Sequence, residues 1–588
     1  MKKTLILFVF ISLFVMSLAV ASTESNTRNT QKKSKKEPLN ISVFTMQKRL
    51  QPPANNKTYK WIKEEFGVTF TWDILEGNKD YKIGLLISSG KLPDLVEVNY
   101  DNYVMESNSD KFQKAGCLKD LKPLIEQYAP NLKKHYASVW NKMIDADSEK
   151  DADGKIIKEH IYSLPKSGVY DGVPSDTYYN QDGWWIQKTV LKEFGYPEIK
   201  TVDQYFDLLE AYCKKHPTID GQPTIPFSII TDTWEAFNLW NPPNGLAGYR
   251  YEGNGYVSLE NGKYVYTDSF TDENAKRWFK LANGYFQRGL IDPASFTDNR
   301  NQYYTKIEQG RVLGMFIQGW QFMGEPEQIL RDTGKPERTY APLPLTFDES
   351  IKPHYRDRPF PSIQQGYGIT INCPKNKTIK ILQFMDQMLE EENQRILYWG
   401  FEGEDWQKDA DGRPYRTEEQ RMQQKNPAWQ NKNRALLWME EAPKLEGLLP
   451  SGYTRNMDDL PWEYEARGEY LSGSQSQLDY ELWTAYGVSS YTELMDKEPE
   501  ANPGWYPMWQ SNPSEQSIGL EKEAAVAMQK FEPIQKKYLP MLIVCNPADF
   551  DNIWDEYLEL MKPLTETFNK YMQQKLDERV EKFGGFQD

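Results

Sequence analysis

SSGKLPDLVEVNYDN, residues 88–102, decides how the first part of the chain is read. Its Gly-Lys-Leu-Pro-Asp segment is a helix-to-strand turn, because Gly and Pro both interrupt helix. Leu95–Val98 follows as a short buried strand. It stops abruptly in Asn99, Tyr100, Asp101 and Asn102, a hydrogen-bonding cluster with an aromatic in its middle. Upstream, Asn40–Phe44 reads as a strand, Lys57–Phe66 as a helix with Tyr59, Ile62 and Phe66 on one side, Val68–Asp73 as a strand and Lys79–Ser88 as a helix. Strands alternating with helices over short links predict right-handed crossovers and a mostly parallel sheet. Ligands of such sheets collect beyond the carboxyl ends of the strands. Thr45-Met46-Gln47 and Asn99–Asn102 occupy that edge, which makes Gln47, Asn99 and Asp101 candidate contacts. An Asx-rich turn satisfying its own backbone is an equal alternative at 99–102.

A second α/β unit starts near residue 170. WWIQKTVLKEFGY (184–196) runs a strand into a helix, and TVDQYFDLLEAYCKK (201–215) is an amphipathic helix with Thr201 as N-cap. TDENAKRWFKLANGYFQRGLID (271–292) is a third helix, ended by Gly289. After the Pro-rich ERTYAPLPL, QQGYGITINC reads as a strand and TIKILQFMDQMLEEENQRIL (378–397) as one helix. The remainder is largely helical and Trp-rich, with no internal repeat.

The length, 588 residues, calls for two or more domains. A net charge of −15 argues against a nucleic-acid partner, since phosphate binding needs a basic surface. Aromatics reach 14%, with 18 Trp and 36 Tyr, more than ordinary cores need and suited to stacking on flat ligands. Lys2 and Lys3 before an apolar run to Ala19-Val20-Ala21 read as an export signal, so the mature protein is expected outside the cytoplasm. An uncleaved anchor is the alternative, and no lipobox cysteine follows the run. The four cysteines show no metal spacing and read as small apolar thiols; four dispersed His argue against zinc or a His-dependent triad.

Several segments, in order, resemble one family: the extracellular solute-binding proteins of ABC importers (family 1, the large oligosaccharide-binding branch). They are SGKLPDLVEV with DKFQKAGCLKDLKPLIEQYAPN (110–131), WWIQKTVLKEFGYPEIKTVDQYFDLLEAY (184–212), DENAKRWFKLANGYFQRGLIDPASF (272–296), IEQGRVLGMFIQGW (307–320) and QGYGITINC through YWGFEG (365–403). The resemblance implies an α/β, two-lobed periplasmic-binding-protein-like fold (type II), with a cleft between lobes and a largely helical C-terminal extension. The expected division is 1–21 signal peptide, 22–39 disordered tether, 40–167 plus 340–400 first lobe, and 168–339 plus 401–588 second lobe and helical region. It also implies a monomeric receptor that catalyses nothing and closes over an oligosaccharide for the membrane permease subunits of an importer.

Sugar recognition needs aromatic faces for the ring and planar amides or carboxylates for its hydroxyls, which cost about 1–3 kcal/mol each if buried unpaired. Trp320 in IQGW leads, because the resembling proteins keep a stacking Trp there and Gly319 permits a sharp turn; Gln318 would accompany it. Trp234 and Trp240 in TDTWEAFNLWN, Trp184 with the upstream Tyr179, and Gln365 and Tyr367 around Gly366 complete the candidates. Trp184 and Trp185 are adjacent in a strand and point to opposite faces, so one is expected in the core. Relatives often carry a calcium loop after the helix ending at Lys215; here HPTIDGQPTIPF (216–227) keeps one carboxylate, Asp220, too few oxygens for calcium. Glu149, Asp151 and Asp153 have EF-hand-like spacing but read as a hairpin turn. No cofactor is expected. The alternatives are a secreted glycoside hydrolase, for which Glu402, Glu404 and Asp405 are the tempting acids, and a peptide- or lipid-binding receptor on the same fold. The aromatic and amide enrichment favours sugar.

Overall fold

In the computed structural model, Leu95–Val98 is the central strand of a five-stranded sheet and is wholly buried. The structure describes residues 37–46, 55–98, 111–165 apart from 138 and 152–154, 182–356 apart from 251 and 324, 366–408, 426–433, 477–496 apart from 489–490, 502–513 and 518–585, with a few short pieces between them. The strand order is Val68–Ile74, Leu39–Thr45, Leu95–Val98, Gly366–Ile369, Leu164–Pro165. The first three run parallel, Gly366–Ile369 pairs antiparallel with Leu95–Val98, and Leu164–Pro165 pairs antiparallel with Gly366–Ile369 in turn. The period-two pleat sends Val43 and Leu95 into one core, and their neighbours Phe44 and Val96 into a second core across the sheet.

The Leu-Pro-Asp turn is fixed by its aspartate. Asp94 Oδ2 accepts from the Ser42 amide (2.8 Å), the Ser42 hydroxyl (2.7 Å) and Lys377 Nζ (2.7 Å). Burial raises the pKa of this carboxyl, but the bonds from Lys377 and Ser42 outweigh it and hold Asp94 below the usual aspartate range. One side chain thus ties the strand entrance to its parallel neighbour and to the helix Lys375–Met388.

The second sheet has the order Ile225–Ser228, Val312–Gln318, Asp182–Gln187, Tyr340–Leu343, with its first pair parallel and the other two antiparallel. Thr201 caps the helix Val202–Lys215 as expected, in a reciprocal box with Gln204. The helices Gly519–Met528, Phe531–Val544 and Phe550–Phe583 share this core. Asn283, on the helix Glu273–Gln287, donates Nδ2 to the carbonyls of Leu542, Ile543 and Cys545, which closes the C-terminus of the second of them. The helix Gln477–Tyr486 is anchored by an ion pair between Lys188 and Asp479 (2.6 Å), both buried.

Three expectations need correction. The division at 340 and 400 is displaced: Tyr340–Leu343 is a strand of the second sheet, and Leu345, Phe347 and Tyr355 lie in its core. The described pieces 401–408 and 426–433 instead meet the first unit, with Asn56 and Thr58 donating to the carbonyls of Asn431 and Asn433, and Lys57 pairing with Glu404 (2.8 Å). The single helix expected over 378–397 is two, Lys375–Met388 and Glu391–Trp399, because Glu390 turns extended and Gln394 donates to the carbonyl of Met388. Gly319 makes no sharp turn; it begins a short helix, Gly319–Phe322, and a Cβ there would stand 2.9 Å from Met323 Sδ and 3.1 Å from the Trp185 ring.

The expected signal peptide and most of the tether lie outside the described residues. No helix among the described residues is long and apolar enough to cross a membrane. All four cysteines are thiols, and burial pushes that of Cys213 up to about 12. Among the described residues no group of three or more His, Cys, Asp or Glu is placed to hold a metal. Asp220 pairs with Lys335 (2.7 Å) in a small hairpin, and Glu149–Lys150 pairs antiparallel with Ile156–Lys158.

Candidate functional site

The strands Ile225–Ser228 and Val312–Gln318 are parallel, so the segments following them emerge at one edge of the second sheet. The first of these, Ile229–Trp240, is fastened residue by residue. Ser295 Oγ accepts from the amide of Ile229 (3.0 Å), and the Thr231 hydroxyl donates to the carbonyl of Ser295 (2.7 Å). Asp232 accepts from the amide of Arg300 (3.0 Å), and Lys536 donates to the carbonyl of Thr233 (2.8 Å). Thr233 itself has φ +54°, a left-handed conformation that costs a β-branched residue about 1–3 kcal/mol and survives only where its surroundings enforce it. Immediately after this turn, Trp234 is 55% exposed.

Glu235, the next residue, is 0% exposed. Its carboxylate accepts from Arg300 Nε (2.7 Å), the Tyr304 hydroxyl (2.7 Å) and Gln321 Nε2 (3.1 Å). Burial and the bond to this acid drive the Tyr304 pKa well above the ordinary phenol range. Gln321 Oε1 in turn accepts from Asn238 Nδ2 (3.2 Å) and from the backbone amide of Gln318 (3.0 Å). Glu235 therefore joins the 3₁₀ helix Thr233–Leu239, the helix Arg300–Glu308 and the helix Gly319–Phe322 that carries Trp320. Hydrogen bonds to a charged group contribute about 1.5–3 kcal/mol each, so this is a stiff mount for an exposed indole.

The corresponding edge of the first sheet is also held from beneath by an acid. Glu97 Oε2 accepts from the Thr45 hydroxyl (2.8 Å) and the Met46 amide (2.6 Å), fixing the chain just before Gln47. Gly366, opposite Val98, is required by close approach: a Cβ there would stand 1.9 Å from the carbonyl oxygen of Leu164. These two sheet edges are where the sequence placed its candidates.

The candidates divide. Trp234 faces solvent on this mount. Gln318 ends its strand buried, held through its backbone by Gln321. Trp320 lies on the helix Gly319–Phe322, at the same edge. Three assignments are corrected. Trp184 is packed on every side by Tyr205, Phe206, Phe227, Trp278 and Phe316, and its neighbour Trp185 is buried against Phe322 with Nε1 donating to the carbonyl of Ile317. Both faces of the strand are covered, so alternation leaves neither indole at a surface. Trp240 is buried in the same core. Tyr367 is buried in the first core, on a strand flanked by Leu95–Val98 and Leu164–Pro165. Gln47, Asn99, Asp101, Tyr179 and Gln365 lie outside the described residues. Glu235, Gln321, Arg300 and Tyr304 were not anticipated; the one local signal was a lone acid between aromatics in TWEAF.

No protein-family model matches the chain. The fructooligosaccharide ABC transporter substrate-binding protein FusA of Streptococcus pneumoniae is 28% identical over 276 residues, covering 46% of this chain and 48% of FusA. Lipoprotein LipO of Bacillus subtilis is 21% identical over 364 residues, 60% of this chain and 64% of LipO. The alignments thus span about half to two thirds of the curated relatives. Among solved structures, FusA in complex with kestose superposes with TM-score 0.57 at 18% identity, over 93% of this chain and 100% of FusA's. A human-milk-oligosaccharide (HMO) binding, ABC-transporter-associated solute-binding protein of Bifidobacterium longum infantis superposes with TM-score 0.58 at 16% identity, over 92% and 99%. The fold is periplasmic-binding-protein-like, α/β with a helical C-terminal region. Its likeness to ABC-importer solute-binding proteins holds in sequence over about half the chain and in fold over nearly all of it.

Proposed function

We propose that this chain is the extracellular substrate-binding component of an ABC importer, binds an oligosaccharide between its two α/β units, and catalyses no reaction. The observation that carries the reading is Trp234, an exposed indole on a buried hydrogen-bonded mount at the carboxyl edge of the second sheet. Such an indole offers a flat apolar face to the C–H face of a sugar ring, while polar groups beside it serve hydroxyls. The sequence likeness to FusA, a substrate-binding protein, supports the role, and its binding of kestose supports the ligand class. The partners proposed are the membrane permease subunits of the importer, and export by the N-terminal signal puts the protein on their outer face.

The acids that tempted a hydrolase reading serve the fold. Glu404 and Asp405 pair with Lys57, Asp405 also accepts from the amide of Phe401 (2.7 Å), and Glu402 pairs with Lys408 (3.1 Å). Calorimetric titration of a panel of fructo-, gluco-, manno- and xylo-oligosaccharides, with product analysis, tests the proposal. Saturable binding without product is expected. Turnover of any panel member, or failure to bind all of them, would refute it.

A further inference from the structure

The exposed indole and the acid beneath it are consecutive residues, and the turn that separates their directions begins at the left-handed Thr233. Inside the segment, Asn238 Nδ2 donates to the carbonyl of Glu235 (2.9 Å) and Trp234 lies against the Phe237 ring (6.1 Å), while Lys536 holds the carbonyl of Thr233 from outside; the donors on the Glu235 carboxylate come from Arg300, Tyr304 and Gln321, on two other helices. The asparagine of the same segment, Asn238, reaches the same Gln321. The acid is 65 residues from Arg300 and 86 from Gln321 in sequence, so it joins elements that share no local contact.

We infer that Glu235 is a positioning residue for the binding edge: its buried carboxylate locks the segment Thr233–Leu239, strained at Thr233, onto the helices Arg300–Glu308 and Gly319–Phe322, so that Trp234 is presented in one preset orientation. The inference rests on the proposed ligand-facing role of Trp234. Without the carboxylate, Thr233 relaxes toward ordinary backbone angles and the following indole samples several orientations. Ligand then has to select one of them, and apparent affinity falls by the fraction competent. A purely structural acid would instead lower stability and leave the Trp234 environment unaltered in the molecules that remain folded.

The test is ¹⁹F NMR of the ligand-free full chain labelled with 5-fluorotryptophan, the Trp234 line being identified by its loss in Trp234→Phe. In Glu235→Gln the Trp234 line is expected to shift and broaden while lines of core indoles such as Trp184 and Trp278 stay fixed. Tyr304→Phe, which removes one donor and little volume, gives the same effect in smaller degree and serves if Glu235→Gln fails to fold. Thr233→Gly, which removes the left-handed strain that drives this relaxation, is expected to keep the line as sharp as in wild type and, combined with Glu235→Gln, to lessen the broadening. A Trp234 line identical in wild type and in every folded variant overturns the inference. With kestose as probe, Glu235→Gln is expected to weaken binding about tenfold, the equivalent of one charged hydrogen bond. If wild type ignores kestose and every other panel sugar, the functional proposal fails while the ligand-free spectra still decide the role of Glu235.

Discussion

Replacing Trp234 by alanine separates binding from folding. The side chain is 55% exposed in the ligand-free protein. An indole presents roughly 200–250 Å² in all, so a sugar that covers it removes about 110–140 Å² from water. At about 25 cal/mol per Å² this is about 3 kcal/mol, or about a hundredfold in Kd. The stability cost should stay within about 1 kcal/mol, because Asp232, Thr233, Glu235 and Asn238 anchor the segment and the half-exposed indole adds a tilted contact with the Phe237 ring. Isothermal titration against the best sugar of the panel, with urea denaturation of both proteins, gives the two numbers. Affinity within twofold of wild type in a folded Trp234→Ala protein would refute the assignment. A parallel loss of stability and affinity would show that the indole packs rather than binds.

Asp94 has a depressed carboxyl, so its contribution to stability is fully present above the ordinary aspartate pKa and is lost as pH falls through the lower folded value. Asp94→Asn should therefore be less stable than wild type at pH 6, with the gap closing toward pH 2 in chemical denaturation; a pH-independent gap contradicts the ion pair with Lys377. Gly366→Ala puts a Cβ 1.9 Å from a backbone carbonyl that cannot swing aside, and should destabilise the first sheet by about 3 kcal/mol or more. A normal urea midpoint would show that the strand shifts freely. Asp479→Ala leaves Lys188 buried without its carboxylate and should cost about 3–5 kcal/mol, with protease cleavage concentrated at 477–495. Cleavage unchanged from wild type would mean that the helix Gln477–Tyr486 is held by its apolar side alone.

What could be read from the sequence was what neighbouring residues dictate. Thr201 as N-cap, the strand Leu95–Val98 and its Leu-Pro-Asp entrance depend on a few neighbouring positions, and the structure reproduces them. The expected crossing at 340 failed because ERTYAPLPL looks like a linker, whereas Tyr340–Leu343 is a strand only by virtue of its pairing with Asp182–Gln187. The tryptophans failed for a related reason. Trp184, Trp240 and Trp234 share one local chemistry, and only the placement of Tyr205, Phe227 and Trp278 around the first decides which is covered. Glu235 is the extreme case, since its three side-chain partners lie on helices far along the chain.

In the proposed role, the energy available at each edge limits how the lobes are driven together. Shifting a two-state equilibrium from 1:99 to 99:1 takes about 5.5 kcal/mol of differential affinity. Covering Trp234 supplies about 3 kcal/mol at most, and part of that is realised in the open form, where the indole is already accessible. One stacked ring on the second lobe therefore does not suffice for closure, and the remainder has to come from contacts made only when the first edge arrives. Glu97 contributes to this: it satisfies Thr45 and Met46 internally, so the end of the strand Leu39–Thr45 is fixed by folding rather than charged against binding. A ligand long enough to meet both edges closes the protein, and a single ring on Trp234 binds without closing it. Small-angle scattering with a monosaccharide and with its trisaccharide should show compaction with the second alone; equal compaction with both would place the closing contacts on the second lobe.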